Sequence, residues 1–208
     1  MKQNLWAFRF PPDPSWYSEA MADLFVLMFL EPQTLAHCPN SRLSGYGQAD
    51  VRQLRLAGPA AGALSSGLAN AHYHMLVFGE PNKALPQVSA DFLAQWPDHF
   101  FNRLGAAGAV PENLNLLYAV RELDGLIAYP LYNTGYVKGP LIIATLASRY
   151  FKTGGASWPE LVGLSNDLRK IYAQGASRQA DDLMLQLGVD VGDDDQLITG
   201  FERYFGLN

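Results

Sequence analysis

The stretch Trp16–Leu30, WYSEAMADLFVLMFL, decides the fold that the sequence predicts. Asp13-Pro14-Ser15 stands directly before it, a combination typical of a helix start with Ser15 as the N-cap. The second half of the stretch is apolar on nearly every face of a helix, so we expect a buried central helix. Pro32 is expected to end this helix.

The rest of the chain divides into further helical segments separated by glycine and proline. Residues 32–58 are the exception, because Pro, Asn, Ser and Gly predict an irregular excursion whose apolar part, 51–56, is either a strand or one helical turn. Helix starts are indicated by Pro140 in a first turn, by a capping box at Ser157 and Glu160, and by Asp193 as an N-cap. The predicted helical segments are 60–78, 85–104 with a break at Pro97, 113–126, 137–151, 158–173, 178–187 and 193–206.

This pattern predicts a mainly all-α fold, an irregular helical bundle, as a single domain over residues 1–208. Hydrophobic residues make up 49% of the chain and charged residues 17%, enough to bury a core and too apolar for disorder. A net charge of −5 argues against a nucleic-acid partner. The longest apolar run, Leu24–Leu30, is far shorter than the roughly 20 residues of a membrane span, so we expect a soluble, cytoplasmic protein with no membrane partner.

Two acidic residues in the first helix are candidates for chemistry. Glu19 and Asp23 are four residues apart, which places both carboxylates on one face of an otherwise apolar helix. A carboxylate buried among apolar groups needs a cation, a metal or hydrogen-bond donors. Glu19 is therefore either an acid in the first helical turn, stabilised by the helix dipole, or a ligand or base.

A second candidate segment places Tyr129, Tyr132 and Tyr136 in a turn that leads into the helix containing Lys138. Phenol hydroxyls beside a helix N-terminus can donate hydrogen bonds to a developing oxyanion. The alternative is that these tyrosines only pack at the junction of loop and helix.

Histidines and cysteines offer little for a metal site. The single Cys38 excludes an internal disulfide and a cysteine-based zinc cage, and the histidines are His37, His72, His74 and His99. On a helix, His72 and His74 point about 200° apart and cannot chelate one ion, whereas on a strand they would share a face. His37 beside Cys38 supplies two ligands at most.

Taken together, W-x-x-E-A-M-A-D over 16–23 and Y-V-K-G over 136–139 resemble the gluzincin zinc metallopeptidases of the glycyl and alanyl aminopeptidase type. The similarity extends over residues 15–31 and 129–206, and it is weak between them. The other matching features are Arg149, Gly154-Gly155, Ser157–Leu161 and the closing helix Phe201–Gly206, which is one residue tighter than its counterpart in the family.

The resemblance implies a fold like the C-terminal subdomain of thermolysin-like peptidases and a role for each matching residue. Glu19 corresponds to the third zinc ligand, and Tyr136 to the tyrosine that stabilises the tetrahedral intermediate. Tyr132 accompanies Tyr136 as a catalytic candidate, and Asp23 and Lys138 are expected to line the cleft.

The sequence lacks the H-E-x-x-H motif that supplies the other two zinc ligands and the general base of such peptidases. The family places this motif upstream of the third ligand, where here it would end just before Met1. We therefore expect only the helical C-terminal part of such an enzyme, with no cofactor of its own and no peptidase activity on its own.

Two alternatives remain open on sequence alone. One is a non-enzymatic helical binding module that binds either a second copy of the chain or another protein or peptide. Its partner would occupy an apolar groove beside Glu19 and Tyr136, where Leu24–Leu30 lacks a packing partner. The other is an unrelated all-α protein, in which Glu19 and the Tyr136 hydroxyl need not face a common cleft.

Overall fold

A computed structural model of the chain describes residues 15–37, 64–108, 113–128, 132–151 and 156–207. Every regular element in these ranges is helical, which confirms the all-α prediction. The α-helices are α1 (Ser15–Phe29), α2 (Pro32–Ala36), α3 (Leu64–Gly79), α4 (Leu85–Gln95), α5 (Phe100–Ala106), α6 (Leu114–Ala128), α7 (Gly135–Tyr150), α8 (Trp158–Gln174), α9 (Ala180–Gln186) and α10 (Asp194–Phe205). Single 3₁₀ turns lie at Tyr132–Thr134 and Gly175–Ser177. No helix in this described part is long and apolar enough to cross a membrane.

Capping residues and breaks in the sequence predicted most helix ends correctly. The Glu160 carboxylate accepts hydrogen bonds from the N–H and the hydroxyl of Ser157, both at 2.7 Å, at the start of α8. Asp193 caps α10 by accepting a hydrogen bond from the Gln196 N–H at 2.9 Å. Gly206 ends the same helix in the left-handed conformation, with φ of 62°. The break at Pro97 separates α4 from α5.

Helix α1 ends at Phe29, before Pro32, as predicted. The irregular stretch expected from residue 32 is wrong for 32–36, because Pro32 is the first residue of α2 and proline fits the first turn of a helix. The position predicted for Pro140 was also wrong. Pro140 lies inside α7, which already begins at Gly135, so its missing N–H falls beyond the first turn. Residues 38–58, with the apolar part at 51–56, lie outside the described residues.

The chain divides into two compact units, which we describe separately. Unit 1 consists of Met1–Leu64 and Gly135–Asn208, and unit 2 of Ser65–Thr134. The sequence alone predicts a single domain, and that remains a prediction.

Helix α7 is the centre of unit 1, with α1 and α10 packed against it. Its residues from Ile142 to Ala147 are all buried. A Cβ added at Gly139 would lie 3.3 Å from the Ala20 nitrogen of α1, so the two helix backbones pack in close contact there. On α10, Gly200 packs directly against Thr145 of α7, where a Cβ would lie 2.3 Å from Oγ1 and 2.7 Å from Cα.

The expectation that α1 is a buried central helix was wrong for one face of the helix. Leu24 and Leu27 are buried in the core of unit 1. On the other face, Phe25, Val26 and Phe29 are 53%, 45% and 46% exposed. Together with the exposed Ala22, they have the i, i+3, i+4, i+7 spacing of one helix face, which we call the α1 stripe.

Unit 2 is held together by an aromatic core from α3, α4 and α6. The ring of Phe92 stacks on Tyr118 with centroids 5.3 Å apart, and Tyr73 meets both rings edge-on. The Tyr73 hydroxyl and the Ser89 hydroxyl are hydrogen-bonded at 2.9 Å. These buried side chains fix the relative positions of the three helices.

The contact of Gly200 with Thr145 gives a stability prediction. We expect Gly200→Ala to destabilise unit 1 by about 2–3 kcal/mol, because the new methyl group overlaps the Thr145 backbone, which cannot move aside. Gly163→Ala in α8 is the matched control, since nothing lies within 4 Å of its added Cβ. There we expect a gain of about 0.5–1 kcal/mol from helix propensity. Urea unfolding of both variants measures the difference, and equal effects at the two sites would contradict the packing.

Candidate functional site

The acid pair of α1 has the electrostatics of a functional site. Glu19 and Asp23 are both half-buried, one helical turn apart. Burial raises the pKa of Asp23 to about 6, and the negative charge of Glu19 contributes to the rise. A carboxyl group that is poised between its charged and neutral forms near neutral pH makes Asp23 a candidate for acid–base chemistry.

Tyr136 lies at the start of α7 in unit 1, whereas Tyr132 belongs to the last residues of unit 2. Tyr132 is in the 3₁₀ turn and Tyr136 in the first turn of α7, both half-buried. One turn after Tyr136, Gly139 meets the α1 backbone at Trp16 and Ala20, next to Glu19. The helix turns that carry Glu19 and Tyr136 are therefore neighbours, while a cleft shared by the two side chains remains a prediction.

Lys138 occupies a different part of the α7 surface from Tyr136. Residues two apart on a helix point about 200° away from each other. Viewed down the axis of α7, Gly139 faces α1 and lies between the side-chain directions of Tyr136 and Lys138. Lys138 and Tyr136 therefore lie on opposite sides of the contact with α1. Lys138 is half-buried, and its assignment to the cleft remains a prediction.

The described residues do not fit a catalytic zinc site. They contain no group of three or more His, Cys, Asp or Glu side chains that could hold a metal ion. Glu19 and Asp23 supply carboxylates and no imidazole, whereas a catalytic zinc takes three protein ligands, among them at least one histidine in the common sites. The expectation that the chain has no resident cofactor is not tested by this result.

The histidines of the described residues have structural roles. His37 stacks on the Trp158 ring with centroids 4.7 Å apart, and His99 accepts a hydrogen bond from the Phe101 N–H as the N-cap of α5. His72 accepts a hydrogen bond from the Trp96 indole at 2.9 Å, and His74 is buried beside Gly125 of α6. His72 and His74 lie on a helix and have these separate neighbours, as predicted for the helical case.

Sequence reasoning missed Glu31, the most deeply buried acid among the described residues of unit 1. Its side chain is fully buried directly after α1. One carboxylate oxygen accepts a hydrogen bond from the Ala156 N–H at 2.7 Å, and the other accepts one from the Tyr204 hydroxyl at 3.4 Å. These partners lie 125 and 173 residues further along the chain, so no local pattern indicates them.

Unit 2 buries a second acid that the sequence did not single out. Glu122 is almost fully buried on α6, and burial raises the pKa of its carboxyl group, while the Arg121 guanidinium at 3.1 Å opposes the shift. One turn earlier, the buried Tyr118 hydroxyl has no hydrogen-bond partner in the described structure. Burial, and then the nearby Glu122, raise the pKa of this tyrosine. The cluster is packed inside the aromatic core and lines none of the described pockets.

Comparison with known proteins leaves the family unassigned. No protein-family model matches the chain, and no curated protein or solved structure matches it at a significant level.

The raised pKa of Asp23 predicts a pH dependence of stability. Between the ordinary aspartate pKa of 3.8 and the value of about 6, the folded chain binds more protons at this site than the unfolded chain. The Asp23 carboxyl group therefore makes its full contribution to folding stability below pH 3.8, and this contribution is lost as the pH rises through about 6. We expect Asp23→Asn to increase the free energy of unfolding at neutral pH and to leave it nearly unchanged at about pH 4.

Urea unfolding of the Asp23→Asn variant and the wild type across this pH range measures the effect. Asp124→Asn, which alters an exposed carboxyl group on α6, is the control. A difference between Asp23→Asn and wild type that does not vary with pH would contradict the assignment.

Proposed function

We propose that unit 1 is the helical C-terminal subdomain of a gluzincin-like metallo-aminopeptidase, without the zinc-binding helix and without peptidase activity on its own. The observation that carries the proposal is the exposed α1 stripe, which continues along α1 from Glu19. In an intact relative, the resemblance implies that the helix of the third zinc ligand packs beside the helix of the other two ligands. An apolar face in line with Glu19 is what such a subdomain leaves uncovered.

The neighbouring positions of the Glu19 and Tyr136 helix turns support the same proposal. The resemblance assigns metal binding to Glu19 and stabilisation of the tetrahedral intermediate to Tyr136. The chain keeps these residue types on two helices that pack at Gly139 and Ala20. The proposal also includes the thermolysin-like relationship of the fold and a cytoplasmic location.

The proposal predicts a catalytically silent chain. We expect the purified protein to hydrolyse alanyl and glycyl anilides no faster than buffer, with or without added zinc, because its sequence lacks the H-E-x-x-H motif that supplies two imidazole ligands. Elemental analysis after dialysis is expected to find zinc well below one ion per chain. Stoichiometric zinc together with turnover that is lost in Glu19→Gln and Tyr136→Phe would overturn the inactive assignment.

The relationship itself needs a separate measurement, because many unrelated proteins also lack peptidase activity. If Glu19 and Tyr136 share a cleft, Glu19→Gln shifts the NMR resonances of the Tyr136 ring. Glu160→Gln, which alters the capping acid of α8, should leave them unchanged. Resonances of Tyr136 that do not respond to Glu19→Gln would remove the support for the peptidase relationship.

A second candidate function is supported by the α1 stripe alone: a binding module whose partner is a second copy of this chain. The stripe contains no charged residue, and exposed apolar faces of this kind are typical of protein interfaces. A two-fold contact would place one stripe against the other and cover both.

This candidate predicts a dimer that depends on the stripe. We expect sedimentation velocity to give twice the mass of one chain for the wild type in the micromolar range. Phe25→Glu should give the mass of one chain, because the new charge would have to be buried against the partner. Leu185→Glu on α9, at a side chain 60% exposed outside the stripe, is the control and should remain dimeric. A wild type that stays monomeric would rule out this candidate.

A further inference from the structure

A groove on unit 1 lies between the end of α1, helix α2 and one face of α8. Its volume is about 380 Å³, within the range of small-molecule sites. The α8 side chains that line it include Trp158, Val162 and Arg169, which follow one another along the helix. The groove is separate from Glu19, Asp23 and Tyr136, none of which lines it.

The half of the groove near the start of α8 is apolar. Phe29, Trp158 and Val162 are 46%, 49% and 41% exposed, so large apolar surface is available to a ligand there. The Trp158 ring is held by His37, which stacks on it at an interplanar angle of 19°. His37 is anchored in turn, since its Nδ1 lies 2.7 Å from the Gln33 carbonyl oxygen and donates to it. An aromatic ring that is already held in place favours binding, because it loses little conformational entropy when a ligand packs against it.

The groove is mainly apolar, and the polar side chains that line it on α8 include one positive charge. Ser165, Asn166 and Arg169 follow Val162 with the i+3, i+4 and i+7 spacing of a single helix face. The exposed Arg169 guanidinium forms no ion pair with any described residue. Thr34 already donates its hydroxyl hydrogen to the Met28 carbonyl at 2.9 Å, so Arg169 is the strongest donor available in the groove.

We propose that this groove binds an amphiphilic monocarboxylate, with its alkyl chain against Phe29, Trp158 and Val162 and its carboxylate on Arg169. The proposal rests on the order of side chains along α8, where apolar side chains are followed by a cationic one. An acyl chain with one anionic end has the matching order of apolar and charged groups. A guanidinium pairs with a carboxylate through two parallel N–H···O bonds, which gives the charged end a defined position. The inference does not rest on the peptidase relationship, since it uses neither Glu19 nor Tyr136 and shares only Phe29 with the α1 stripe.

Calorimetric titration of the full chain with octanoate, hexanoate and octanamide tests the two halves of the groove separately. We expect octanoate to bind once per chain and octanamide, which lacks the charge, to bind more weakly. Removing two methylene groups, as in hexanoate, is expected to weaken binding by up to about fifteenfold, since each buried methylene contributes about 0.8 kcal/mol.

Two variants and a control locate the binding. Arg169→Gln should lower the octanoate affinity to that of octanamide and leave octanamide binding unchanged. Val162→Gln should weaken both ligands. Arg178→Gln, at an exposed arginine outside the groove, should change neither. Absence of saturable octanoate binding, or an equal loss in Arg169→Gln and Arg178→Gln, would overturn the proposal.

Discussion

The close packing of α7 against α1 on one side and α10 on the other is the constraint on which unit 1 depends. Both contacts use a glycine: Gly139 against the Ala20 backbone and Gly200 against Thr145. The Thr145 hydroxyl shares its single hydrogen between the Leu141 carbonyl oxygen at 2.8 Å and the Leu197 carbonyl oxygen of α10 at 3.1 Å. A side chain at either glycine would hold the helices apart and leave voids around the fully buried Ile142 and Leu146, which close-packed interiors do not tolerate. The neighbouring positions of the Glu19 and Tyr136 helix turns follow from this packing.

Glu31 and Asp23 differ in what their burial leads to. Glu31 has a structural role, and Asp23 is a candidate for chemistry. Glu31 is fully buried, and a backbone N–H and a phenol hydroxyl meet its two oxygens. It therefore connects the end of α1 to the segment before α8 and to α10, as a buried acid with bonded oxygens can. Asp23 is half-buried with Glu19 as a charged neighbour, and its pKa rises to about 6. Asp23 therefore has the proton equilibrium that chemistry near neutral pH uses.

The sequence predicted what depends on local physics and missed what depends on distant contacts. The caps at Ser157, Asp193 and Gly206 involve residues a few positions apart, and the structure confirms them. Glu31 depends on partners more than a hundred residues away, so it resembles an ordinary acid at a helix end. The sequence left open whether Leu24–Leu30 is buried or exposed, because a segment that is apolar on every face gives no indication of which face is buried.

The same helix carries the unusual acid pair and the exposed apolar stripe, and the two features constrain the function together. An acid pair alone is compatible with a capped first turn, and a stripe alone with any protein interface. Because the acid pair and the stripe follow one another along α1, they form a surface that is acidic at its start and apolar at its end. A partner that covers this surface has to bury three large side chains beside two carboxyl groups. In a two-fold dimer the carboxyl groups of both copies come close to one another unless the copies are offset along the helix. The subdomain proposal does not require two acid pairs to meet, which is why we prefer it to the dimer.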